Sequence, residues 1–229
     1  MTTTTHLPAA VLFDMDGTLI DSEHLWLAAE INVMNDLGAT WTSADQTHCL
    51  GGPLERVAAY MAERSGSDRA IAQIGEALLN SIEHQMRTSP LSWRPGAAQL
   101  LGSCLADSIP RVLVTASWAR LVDALSDRIA QEFGGDPFTS VVAGDHVRNS
   151  KPHPEPYVMA AARVGSDPKH CLAIEDSPTG VRSAIAAGCK VIAVPHLAPV
   201  DGLVSSAPHA AVVTSLEGWS VQALWELVG

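Results

Sequence analysis

Ala9–Phe13 is a short apolar run that ends abruptly in Asp14-Met15-Asp16-Gly17. A run without polar alternation predicts a strand buried on both faces, as in a parallel sheet. The same form recurs at Arg111–Thr115, Ser140–Ala143, Cys171–Ile174 and Lys190–Val194, with a weaker sixth run at Ala210–Val213. Between them lie stretches with helical period. Arg94-Pro95-Gly96 opens one that continues to Asp107. Ala119–Phe133 places Leu121, Val122, Leu125, Ile129 and Phe133 close to a 3.6-residue repeat. Pro154–Val164 and Pro178–Ala187 each begin with proline, which suits a first helical turn, and Gly165 and Gly188 stand where helices stop. Strand–helix alternation from residue 94 onward predicts right-handed βαβ units on a parallel sheet.

The interval between the first two strands breaks this rhythm. From Ser22 to Pro90 the pattern is helical only, in Glu23–Leu37, Pro53–Arg64 and Asp68–Met86, with a break at Leu50-Gly51-Gly52-Pro53. About seventy residues is too long for a simple crossover. The economical reading is an inserted subdomain whose two crossings fall near Leu19–Ser22 and Thr88–Pro95. The expected fold is α/β: a Rossmann-like parallel-sheet core from residues 1–20 and 91–229, with helices on both faces, and an all-helical cap from residues 21–90.

Composition narrows the function. Fourteen basic against 25 acidic residues leave a net charge of −11, which argues against binding a nucleic-acid backbone. Apolar residues are 47% and charged residues 17%, so the chain is not of the disordered kind. No apolar run approaches a membrane span, and Met1–Thr5 lacks a basic-then-apolar leader pattern. Cys49, Cys104, Cys171 and Cys189 stand far apart and read as reduced core cysteines. The expectation is a monomeric cytoplasmic protein. P-loop, GxGxxG, GxSxG and HExxH motifs are all absent.

In open parallel sheets ligands bind outside the carboxyl ends of the strands. The polar residues ending these strands are Asp14 and Asp16, Thr115 and Ser117, Asp145, and Glu175, Asp176 and Ser177, with Lys151 shortly after Asp145. Each has an ordinary reading. DxDG can be a solvated turn or a helix cap. Lys151 and His153 can be surface residues, and Thr115, Ser117 and Ser177 can be caps. A calcium loop does not fit Asp14–Leu25, because Gly17 falls too early and Leu25 stands where a bidentate glutamate belongs. If the acids of the two strand ends lie together, they repel unless a cation intervenes, and Mg²⁺ suits a few oxygen ligands plus water.

Taken in order, DMDGT, VLVTAS, KPHPEPY and IEDSPTG resemble the four motifs of the haloacid dehalogenase (HAD) superfamily. Within it, DMDGTLIDSE and KPHPEPY resemble the sugar-phosphate phosphatase and β-phosphoglucomutase-like group, which carries a helical cap after the first motif. The resemblance implies a Mg²⁺-dependent phosphatase acting on small phosphomonoesters through an aspartyl-phosphate. It implies Asp14 as nucleophile and Asp16 as general acid–base. Thr115, with Ala116, would hold the transferring phosphoryl group, and Lys151 would neutralise charge on it and on Asp14. Asp14, Asp16 through its backbone carbonyl, and Asp176 would ligate Mg²⁺, with Glu175 in or beside that set. The second acid, Asp16, favours an alkoxide leaving group over a halide.

Substrate choice would fall to Ser117 and to the cap, where Trp26, Gly51, Gly52 and Arg56 are candidates. Trp26 can equally be a core residue of its helix, and Arg56 a solvated one. A β-phosphoglucomutase-like phosphohexomutase is the alternative activity. Such mutases carry a histidine where this chain has Trp26, and an arginine where Glu55 falls. Both departures point toward hydrolysis, and DSEHLW looks like phosphatases of hexose and hexitol phosphates.

Overall fold

A computed structural model describes residues 7–49 and 54–229. It divides into two compact units, one formed by the segment ending at Asp21 together with Ser92–Gly229, the other by Ser22–Leu91. The first unit contains strands β1 (Ala10–Phe13), β2 (Arg111–Val114), β3 (Ser140–Val142), β4 (Cys171–Glu175), β5 (Lys190–Ala193) and β6 (Ala210–Val212). They form one sheet in the order β3-β2-β1-β4-β5-β6, and every neighbouring pair is parallel.

The uninterrupted apolar runs are explained by burial on both faces. Ala10 and Leu12 of β1, Val112 and Val114 of β2, Cys171 and Ala173 of β4, and Val191 and Ala193 of β5 share one buried cluster. The alternate residues Val11, Phe13, Leu113, Leu172, Ile174 and Ile192 are equally buried on the opposite face.

The second unit consists of α1 (Glu23–Asp36), α2 (Ser43–Cys49), α3 (Leu54–Ser65) and α4 (Ile71–Thr88). In α4 the buried residues Ile74, Leu78, Ile82 and Met86 recur every fourth position. α4 packs against α1 and α3, which bury Ala29 and Val33, and Val57 and Met61, respectively. Two corrections to the pattern reading arise here. α4 begins at Ile71 rather than Asp68, and α2 is an additional helix. Its sequence, SADQTHC, is polar, so no apolar stripe announces it. It is anchored instead by buried Asp45, which accepts from the Thr42 hydroxyl at 2.6 Å, Tyr60 at 2.7 Å and Arg64 at 2.8 Å. The Arg64 hydrogen bond, then that of Thr42, holds the Asp45 carboxyl well below the usual carboxylate range. The predicted break at Leu50–Pro53, with Gly51 and Gly52, lies outside the described residues.

Glu30 is the other buried acid of this unit, 7% exposed, with Trp41 Nε1 donating to it at 2.9 Å. Burial pushes its pKa up to about 7. A carboxyl raised on folding stabilises fully below its unfolded pKa and loses that contribution as pH climbs through the folded value. Glu30→Gln, which keeps an acceptor for Trp41, is expected to raise stability at pH 8 by on the order of 2 kcal/mol and far less at pH 4.5. Urea unfolding at the two pH values checks this, and an equal gain at both would refute it.

The remaining helices belong to the first unit: α5 (Ala97–Ala106), α6 (Ala119–Phe133), α7 (Glu155–Arg163), α8 (Pro178–Ala187), α9 (Asp201–Val204) and α10 (Val221–Leu227). Two stretches of this unit pair where the chain leaves for residues 22–91 and returns. Ile20 bridges Trp93, Asp21 N–H donates to Ser92 O at 2.8 Å, and Arg94 N–H donates to Leu19 O at 2.8 Å.

Candidate active site

The sheet order fixes where chemistry can gather. From β1 the sheet grows one way through β2 and β3, and the other way through β4 to β6. The crevice at such a reversal lies beyond the carboxyl ends of β1 and β4. Asp14 directly follows β1, Glu175 ends β4 and Asp176 directly follows it. The ladder continues into the loops, with Asp14 N–H donating to Ile174 O at 3.0 Å, so residues 160 positions apart in sequence stand side by side. One oxygen each of Asp14, Glu175 and Asp176 lies within 4.8 Å of the others.

Lys151 enters this acidic group from the loop before α7, its side chain only 4% exposed. Its ammonium donates to Asp14 Oδ1 at 2.6 Å, to Glu175 Oε1 at 2.6 Å and to Val114 O at 2.9 Å, which uses all three hydrogens. Burial alone would depress its pKa; the two carboxylates outweigh that and hold it above the ordinary lysine value. The loop carrying it is tied down on both sides. Glu155, the first residue of α7, accepts from the backbone N–H of Arg148 and Asn149 at 2.8 and 3.1 Å. Ser183 Oγ donates to His153 O at 2.6 Å. The exposed His153 side chain also takes part, its Nδ1 accepting from Glu155 N–H at 3.2 Å.

Asp16 faces another way. Its Oδ2 accepts from Ser117 Oγ at 2.7 Å and from Thr115 Oγ1 at 3.4 Å. Thr115 is buried, and its own hydroxyl accepts from Ser117 N–H at 2.9 Å, while Ala116 is exposed at the tip of that turn. The Asp16 carboxylate is therefore not part of the acidic trio. Asp145 does not join the group either; it accepts from Ala119 N–H at 2.9 Å at the start of α6.

Glycines at two positions make the acids fit. Gly17, at φ +85°, packs so closely that a Cβ there would collide with Asp176 Oδ2. A Cβ on Gly180, in the first turn of α8, would collide with the Glu175 carboxylate. α8 starts as its sequence predicts, with Ser177 Oγ accepting from Gly180 N–H at 3.1 Å and Pro178 following it.

The oxygens differ in what they have left to offer. Glu175, fully buried, is engaged on both sides: Oε1 by Lys151 and Tyr157, Oε2 by Asp176 N–H at 3.2 Å and the Ser177 hydroxyl at 3.3 Å. Asp176 Oδ1 accepts from Thr18 at 3.2 Å. Asp14 Oδ2 is buried with no hydrogen-bond partner among the described residues. Three carboxylates with one lysine leave an excess of negative charge. Burial, then its acidic neighbours, pushes Asp176 up to about 8; burial also raises Asp14 and Glu175, against the pull of Lys151. An orphaned carboxylate oxygen, a second acid uncovered by Gly17 and an all-oxygen donor set fit a hard divalent cation such as Mg²⁺.

Acids raised on folding stabilise the cation-free protein at low pH and lose that contribution as pH rises through about 8. Melting temperature in EDTA is expected to fall from pH 5.5 to pH 9. The increment given by Mg²⁺ should grow over the same range, reaching several degrees near 100 times the dissociation constant. A Mg²⁺ increment that is absent, or constant with pH, would contradict this.

The cap candidates stand in the second unit. Trp26 is half-buried on α1, and Arg56 is exposed on α3, with Nη2 donating to Cys49 O at 3.4 Å; Gly52 lies outside the described residues. Pattern reading missed Glu155 and Tyr157. Both lie within KPHPEPY, but their contacts depend on which strands α7 lies beside.

Residues 11–194 match the family model described as haloacid dehalogenase-like hydrolase. The chain belongs to this family. It is thus a hydrolase of the HAD fold. It is 33% identical over 189 residues to the "Probable pseudouridine-5'-phosphatase" of Drosophila melanogaster, covering 80% of each chain. It is 31% identical over 189 residues to hexitol phosphatase B of Escherichia coli, covering 81% of this chain and 83% of that one. Among solved structures, CbbY from Rhodobacter sphaeroides in complex with phosphate superposes with a TM-score of 0.80 at 25% identity, covering 95% of this chain and 99% of that one. Among the described residues no helix of this HAD hydrolase is long and apolar enough to cross a membrane, and its four cysteines are free and buried.

Proposed function

We propose that this HAD hydrolase is a Mg²⁺-dependent phosphatase of small phosphomonoesters, sugar or polyol phosphates, working through an aspartyl-phosphate on Asp14. The observation that carries the reading is the division of labour at the end of β1. Asp14 is gripped by Lys151 through one oxygen and has no hydrogen-bond partner among the described residues on the other, while Asp16, two residues on, is held by hydroxyls. One carboxylate is thereby arranged for attack and the other for proton transfer. The names of the two relatives, a pseudouridine phosphatase and a hexitol phosphatase, support a phosphate ester on a small polyhydroxylated frame.

In this reading an Asp14 oxygen attacks phosphorus, the ester P–O bond breaks, and Asp16 gives its proton to the departing alkoxide. Asp16 then takes a proton from the water that attacks the aspartyl-phosphate, releasing inorganic phosphate and restoring Asp14. Lys151 carries its positive charge beside the transferring group throughout, and Thr115 with the Ala116 backbone offers hydrogen bonds to it. Asp14, Asp176 and the Asp16 backbone carbonyl would hold Mg²⁺, which when bound supplies positive charge that lets a phosphate dianion approach the acids. Glu175, with both oxygens already occupied, acts beside that set.

The test is phosphate release from a panel of phosphorylated sugars, polyols and nucleosides with Mg²⁺, following the product alcohol alongside phosphate. Phosphate stoichiometric with alcohol supports hydrolysis. Isomerised sugar phosphate formed faster than phosphate would overturn it in favour of a mutase. No release from any ester would reject both.

A further inference from the structure

Tyr157 is the largest fully buried side chain of the protein, and nothing in the mechanism above employs it. It sits in the first half of α7, within the cluster that packs this helix on the sheet. Filling that space asks only for a ring. The hydroxyl asks for more, since at 0% exposure it needs a partner or carries an unsatisfied group. It donates to Glu175 Oε1 at 2.6 Å, the same oxygen that receives Lys151 at 2.6 Å. Lys151 Nζ lies 5.3 Å from the centre of the Tyr157 ring. One carboxylate oxygen thus takes two short hydrogen bonds from donors on different segments. The lysine must meanwhile satisfy Asp14 and Val114 as well.

We infer that Tyr157 is a positioning residue for Lys151, acting through Glu175. Lys151 stands between two buried acids at equal distances, 2.6 Å each. A neutral donor on Glu175 meets part of that acid's demand without adding a charge. The lysine is then left balanced toward Asp14 instead of being captured by Glu175. Removing the hydroxyl leaves Lys151 as the one donor to Oε1 and draws it toward β4. A phenylalanine would keep the packing and lose this balance.

The kinetic arm of this inference rests on the phosphatase reading; its spectroscopic arm does not. In metal-free, ¹⁵N-labelled wild-type protein the buried Lys151 ammonium and the Tyr157 hydroxyl proton should both be protected, and they should show a through-space cross-peak. In Tyr157→Phe the Lys151 ammonium resonance should shift. With Mg²⁺ and p-nitrophenyl phosphate, or the best ester of the panel, kcat should fall about tenfold, with KM within about twofold. That is the size expected for one hydrogen bond to a charged group. The cost should vanish when Tyr157→Phe is made in a Glu175→Gln background, because the path runs through Glu175.

An unmoved Lys151 resonance, an unchanged kcat, or a loss that persists undiminished with Glu175→Gln would each overturn the inference. Wild-type protein inactive on every ester would reject the phosphatase reading, and the resonances alone would then decide the role of Tyr157. Should Tyr157→Phe not fold, the wild-type cross-peak remains the deciding measurement, and its absence overturns the role.

Discussion

Asp14→Asn is expected to abolish turnover, lowering kcat by about 10⁴-fold or more, while the protein still folds. The amide cannot form an acyl phosphate by attack on phosphorus. It also removes one of three crowded acids, so the cation-free protein loses repulsion rather than support. Lys151 keeps Glu175 and Val114 as partners in this variant. Melting temperature in EDTA at pH 8 should therefore stay level or rise, and the Mg²⁺ increment should shrink. Activity within tenfold of wild type in a clean preparation would remove Asp14 from the nucleophile's role. A large fall in metal-free stability would contradict the account of the charge cluster.

Lys151→Met should do the opposite to stability. The side chain is buried among acids, and its removal leaves them uncompensated. Breaking a buried ion pair from one side costs about 3–5 kcal/mol. Most of this should return at pH 5, where acids already raised by burial take up protons instead. Activity should fall at least about 10³-fold at any pH, since the Lys151 ammonium is the positive charge paired with these acids and carried to the transferring group. Denaturant unfolding at pH 7.5 and pH 5 separates the two effects. A variant as stable as wild type at pH 7.5 would mean that the acids do not depend on Lys151.

Much of this was legible in the sequence because a parallel sheet leaves a strong trace. Runs such as Ala10–Phe13 and Cys171–Glu175 must be apolar throughout, and a polar residue can return only where the strand ends. Asp14, Asp176 and Thr115 were visible for that reason. What escaped depended on partners rather than on pattern. α2 is held by Asp45 and the groups that converge on it, and polar burial has no period. The hydroxyl of Tyr157 looks like that of any core aromatic until the packing of α7 on β1, β2 and β3 brings it within reach of Glu175 at the end of β4. Glu175 reads as an acid in or beside a cation site, but nothing in the sequence announces its hydrogen bonds, from Lys151 and Tyr157 to one oxygen and from the turn that starts α8 to the other. α10 escaped because Val221–Leu227 spans too few residues for a period to emerge.

The bridge between Ile20 and Trp93 bears on how such a chain can change over evolutionary time. To the sheet, everything between those residues is a loop whose ends are already joined. The entropy of closing a loop grows only with the logarithm of its length, about 0.6 kcal/mol for each doubling. An insert half or twice as long could therefore hang from the same neck at little cost to the strands beneath it. The neck begins six residues after Asp14, so whatever hangs there is tethered close to the end of β1 whatever its fold. A lineage can thus trade one inserted module for another without disturbing Asp14, Glu175, Asp176 and Lys151, whose hydrogen bonds among the described residues lie within the sheet unit.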